Sequence, residues 1–63
     1  MTNNQWLKQA TDTLKAANIG SARLDALILL EDEIGWDRAW ILAHPEHEVS
    51  AESLKKLNKK LVL

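Results

Sequence analysis

Two histidines and two glutamates crowd into one short stretch, His44-Pro45-Glu46-His47-Glu48. These are the residue types of a metal centre or of acid–base catalysis, and their arrangement favours neither. Ligands carried on a helix share one face, whereas Pro45 pushes His44 out of the helical region and separates the two imidazoles. A structural zinc site takes four protein ligands from rigid positions, and the chain contains no cysteine. No nucleophile stands beside a base in any local motif, and 63 residues leave little room for an enclosed pocket. The expectation is of loop histidines facing water. No catalytic, cofactor-binding or metal-ligating residue is expected in the chain.

Charge is the next source of chemistry. A net charge of -1 conceals an asymmetry. Residues 1–48 hold Lys8, Lys15, Arg23 and Arg38 against eight carboxylates, while residues 49–63 hold Lys55, Lys56, Lys59 and Lys60 against Glu52 alone. Such runs are usually solvated faces, and a partner-facing patch is the alternative. The four-lysine face lacks the interleaved aromatics of a single-strand binder. A helix-turn-helix reading fails on the segment Arg38-Ala39-Trp40-Ile41-Leu42-Ala43. It offers one base-reading side chain, and Glu31-Asp32-Glu33 would lie near phosphate. Direct nucleic-acid binding is not expected.

The elements that position these groups are helices. Thr2-Asn3-Asn4-Gln5 fits a capping box, followed at helical spacing by Trp6, Leu7, Ala10, Leu14 and Ala17. Lys8, Gln9, Asp12 and Lys15 face away, with Asp12 spaced to pair with either lysine. Asn18 suits the left-handed residue that ends this helix, Ile19 its apolar return contact, and Gly20 a sharp turn. A second helix starts at Ser21, expected to cap it through its hydroxyl, and ends at Gly35. On a wheel turning about 100° per residue, Leu24, Leu27, Ile28, Leu30 and Ile34 fall on one broad arc, opposite Asp25 and Asp32. Leu29 lies outside the arc beside Ala22 and Ala26. So much apolar surface marks the central helix of a bundle. Asp25 is either solvated or anchored to Arg38 or an indole across the bundle.

Asp37 is the expected N-cap of a short third helix, Arg38 to Ala43, stopped before Pro45. Pro45 to Val49 is a loop. Ser50 caps a last helix whose stripe is Leu54, Leu57 and Leu61, still in pattern where the chain stops at Leu63. No stretch alternates long enough for a strand. The fold class is therefore all-α: a small bundle of four helices, the third short, forming one domain over residues 1–63. Trp6 and Trp40 are expected in the core. Trp36 follows a helix-ending glycine in a connection, so it is the candidate partner contact.

Ala22-Arg23-Leu24-Asp25-Ala26, with Leu29-Leu30 and Gly35, resembles the N-terminal domain of the HemK/PrmC family. Trp6-Leu7, Ala10 and Leu14 before it, and Arg38 and Ile41-Leu42-Ala43-His44-Pro45-Glu46 after it, extend the resemblance over nearly the whole chain. It implies a release-factor-docking domain excised from a methyltransferase that modifies the glutamine of peptide chain release factors. Catalysis and S-adenosylmethionine binding are implied for a following domain, which should carry a glycine-rich loop after a strand and an Asn-Pro-Pro-Tyr motif. The only glycines here are Gly20 and Gly35 and the only proline is Pro45, so no catalytic residue of the family transfers to this chain. The rival reading is a free-standing helical protein-interaction module. No apolar run approaches the roughly 20 residues of a membrane span. The N-terminus lacks the basic-then-apolar pattern of a secretory signal, and a cysteine-free chain suits a cytoplasmic setting.

Overall fold

Each helix starts at a residue whose side chain can hold its first turn, with one exception. Thr2 is extended (φ -78°, ψ 164°), and its hydroxyl accepts from the Gln5 amide while the Gln5 side chain accepts from the Thr2 amide. Asp37 and Ser50 are likewise extended, and they accept from the amides of Trp40 and Ser53. The computed structural model, which describes residues 1–61, thus has α1 (Asn3–Ala16), α2 (Ala22–Ile34), α3 (Arg38–Ala43) and α4 (Ala51–Lys60). There is no strand among the described residues; a single bridge pairs Thr2 with Glu48. The expected continuation of the last helix to Leu63 lies outside the described residues.

Ser21 is the exception, and it corrects the reading of its hydroxyl as an acceptor for α2. Its backbone is not extended (φ -99°, ψ 33°), so the side chain makes no capping bond. The hydroxyl instead donates to Asp25 Oδ2 at 3.1 Å. Asp25 is therefore tied within its own helix and not to Arg38 or an indole. The turn before it depends on Asn18 rather than Gly20. Asn18 has φ 62°, and Ile19 N–H reaches Leu14 O at 3.1 Å while Asn18 N–H reaches Lys15 O at 2.9 Å. Those two bonds satisfy carbonyls that the end of α1 leaves open. Gly20 does not have a positive φ. At the other end of α2, Gly35 adopts φ 75°, where a side chain would be strained.

The core is Trp6, Leu7, Ala10 and Leu14 from α1, Ala22, Ala26, Leu27 and Leu30 from α2, then Ile41, Val49 and Leu57. α2 touches all three other helices, as a central helix must. Of the expected arc, Leu27 and Leu30 are buried and Ile34 packs against the core, but the buried face is rotated toward that side and the other end of the arc is open to solvent. Leu24 and Ile28 are 43% and 47% exposed, while Ala22, Ala26 and Leu30 are at most 2% exposed. The physical reason is separation. Ala22 and Ala26 are buried on α2 and Ala10 on α1, and the two helices pack together; small side chains at a helix crossing permit the closest approach of the axes. Leu29, outside the expected arc, packs against the core. Leu54 from α4 and Leu61 just after it pack there, with Leu57 fully buried between them.

Candidate functional site

The loop after α3 is fixed to the start of α1. Asn3 N–H donates to His47 O at 2.8 Å, Asn4 N–H to Pro45 O at 3.0 Å, and Val49 N–H to Met1 O at 2.9 Å. Asn3, fully buried, also donates through Nδ2 to His44 O at 3.2 Å. The loop carbonyls thereby take up first-turn amides of α1 that have no partner inside the helix. This arrangement determines where the two histidines sit.

Both histidines are exposed residues, as expected of a loop, yet neither ring is simply solvated. His44 stacks on Trp40 with centroids 4.1 Å apart and planes at 19°, and its Nδ1 lies 2.8 Å from Trp40 O. His47 meets the same indole edge-on at 5.0 Å. On the other side of Trp40, Trp36 stacks at 4.5 Å and 15°. Trp36, Trp40 and His44 therefore form one continuous row of rings. Trp40 is half-buried against the core, and Trp36 is 50% exposed.

The row is held from both flanks. Gly35 turns the chain out of α2, and Asp37 Oδ1 accepts the Trp40 amide at 2.8 Å. Arg38 Nε lies 3.4 Å from Glu31 Oε1, joining the start of α3 to the last turns of α2. The outcome is an indole whose outer part meets water and whose inner face is backed by a second ring. A rigid aromatic backed in this way loses little freedom when a partner covers it, which is why tryptophan is enriched among residues that carry binding energy.

The fold gathers no group of three or more histidines and carboxylates able to hold a metal ion among the described residues. Both glycines lie at helix junctions, and no strand precedes a loop among the described residues. No helix is long and apolar enough to cross a membrane among the described residues.

The family model of the PrmC N-terminal domain matches residues 5–61. The chain belongs to this family. In the PrmC N-terminal domain described here, the match runs from the first turn of α1 to the residue after α4, and so takes in the whole aromatic row. Neither the curated proteins nor the solved structures give a match to the chain. The stacking partner of Trp36 escaped the sequence reading. Its signal was the spacing Trp36, Trp40, His44, three rings at successive intervals of four, which would place them on one side of a continuing helix.

Proposed function

We propose that this domain docks a peptide chain release factor for a protein-glutamine methyltransferase, with Trp36 as a contact residue. The observation that carries the reading is membership of the PrmC N-terminal domain family over nearly the entire chain. The half-exposed Trp36, stacked on Trp40, supports its placement on the docking surface. Methyl transfer from S-adenosylmethionine to the release-factor glutamine, in the cytoplasm, belongs on this reading to another domain of the parent enzyme. This domain contributes binding and orientation, which raise the effective concentration of the glutamine at a separate centre.

The test is a calorimetric titration of the domain, and of its Trp36→Ala and Trp40→Ala variants, with a release factor. Trp36→Ala should weaken binding by at least about tenfold, the loss of roughly 1.4 kcal/mol that an interface tryptophan commonly exceeds. It should also lower the melting temperature less than Trp40→Ala does, because Trp40 is half-buried against the core. Binding by the wild-type domain that Trp36→Ala leaves unchanged would remove Trp36 from the surface. Absence of any binding by the folded wild-type domain would overturn the docking role.

A further inference from the structure

A groove of about 340 Å³ runs along the outer side of α1, lined by Asn4, Lys8, Thr11, Asp12, Lys15 and Arg23. Five of these come from one helix at positions that form a single stripe. Arg23, from the first turn of α2, closes the groove beside the C-terminal half of α1. Three cations therefore share one concavity with one carboxylate. None of Lys8, Lys15, Arg23 and Asp12 makes an ion pair among the described residues, although Asp12 is spaced to reach either lysine. The lysine-rich face of α4 has a concavity of the same charge balance, Lys55, Lys56 and Lys59 with Glu52, and differs in that two of its four lysines are paired. There Lys56 lies 3.7 Å from Glu52, and Lys60 lies 3.3 Å from Asp32. Thr11 also lines the groove and is only 8% exposed, with its Oγ1 buried beneath the surface.

We infer that this groove docks an acidic protein segment carrying two carboxylates about 10 Å apart, the axial separation of Lys8 and Lys15 at 1.5 Å per residue. The sign of the charge decides the class of partner. Lys8 and the pair Lys15–Arg23 are positive, and Asp12 lies between them in the stripe. A nucleic-acid backbone is charged at every nucleotide and would bring phosphate against Asp12. A peptide can place its acids at the two ends of the groove and a neutral residue at the middle. No tryptophan lines the groove to stack a base. The inference is independent of the release-factor reading: Trp36 is not a lining residue, and the acidic partner is defined by charge alone.

The test uses the isotopically labelled chain and a helical alanine–glutamine peptide with two glutamates two turns apart, titrated by nuclear magnetic resonance at low ionic strength. Amide shifts should centre on Lys8, Thr11, Asp12, Lys15 and Arg23, and they should fade as salt approaches physiological strength. Lys15→Gln and Arg23→Gln should each weaken the peptide about two- to fivefold, the range of one exposed ion pair. Lys55→Gln, on α4, should leave it unchanged. Circular dichroism of each variant confirms that the helices persist. Equal shifts with a peptide whose glutamates are replaced by glutamine would overturn the proposal. So would shifts centred on Lys55 and Lys59, no shifts at all, or an oligouridylate that binds the groove more tightly than the acidic peptide.

Discussion

Replacing Leu30 and Ile28 by alanine, one at a time, measures which way α2 faces. Two positions apart, the two side chains are similar in size, but Leu30 is fully buried and Ile28 is 47% exposed. Leu30→Ala deletes three carbons from the centre of the core. At about 0.8 kcal/mol per buried carbon the transfer loss is about 2.4 kcal/mol. A residual void raises the total toward the upper part of the 2–5 kcal/mol range typical of such changes, as estimated roughly from other cores. At roughly 0.05–0.15 kcal/mol per residue, a chain of this length has about 3–9 kcal/mol in total. Leu30→Ala therefore removes much of the stability, or all of it. Ile28→Ala loses about half the transfer term and leaves no enclosed void. Alanine also returns a few tenths of a kcal/mol in helix propensity, so the net cost stays below about 1 kcal/mol. At about 4–8 °C per kcal/mol for a domain of this size, the Leu30 variant should melt at least roughly 10 °C below wild type, and the Ile28 variant within about 8 °C of it. Thermal melts followed at the helical circular-dichroism band, with urea titrations at 25 °C, supply the comparison. Equal shifts for the two variants would refute the rotation of α2. A larger loss for Ile28 would place the buried face at the Leu24–Ile28 end of the expected arc.

Smaller changes at three positions probe the helix ends. Asp37→Ala removes the 2.8 Å bond to the Trp40 amide and should cost about 1 kcal/mol, the usual worth of an N-cap. Ser21→Ala, at a residue that makes no capping bond, should cost less than about 0.5 kcal/mol, as a surface substitution does; urea titration of both resolves the difference, and equal losses would mean that Ser21 caps α2 in solution. At Asn18, with φ 62°, glycine should be neutral or slightly stabilising, while alanine should cost about 1 kcal/mol for its strained left-handed backbone. A neutral alanine in the same melt would show that this turn relaxes.

Local chemistry made most of the bundle legible. Thr2, Asp37 and Ser50 mark helix starts because their side chains complete a bond that only a helix N-terminus leaves open, and each does so here. Gly35 and Asn18 mark ends for the complementary reason, since their positive φ values are accessible at low cost to few residues. Ser21 failed because a cap needs an extended backbone as well as a hydroxyl, and the turn from Asn18 to Ser21 sets that backbone before the side chain can act. The facing of α2 was legible only in part, at Leu27, Leu30 and Ile34 and not at Leu24 and Ile28, for a different reason. Leu24, Leu27, Ile28, Leu29, Leu30 and Ile34 surround the helix, so a wheel that weights residues by hydrophobicity has almost no preferred direction.

The informative residues were the small ones. Ala22 and Ala26 contribute little transfer energy themselves, but with Leu30 they form a stripe at intervals of four that is almost completely buried. A pair of helices gains dispersion contacts along its whole length when their axes approach, and only small side chains at the crossing permit that approach. Leu24 and Ile28, larger and more apolar, lose the competition for the interface because burying them against α1 would hold the helices apart. The aromatic row follows the same logic of neighbours. Trp36, taken alone, was an exposed ring in a connection. Its order comes from Trp40, and Trp40 is ordered in turn by His44, whose carbonyl is held by the buried Asn3. A contact running from the first turn of α1 to the end of α3 depends on how the chain returns on itself, and no window of neighbouring residues contains it.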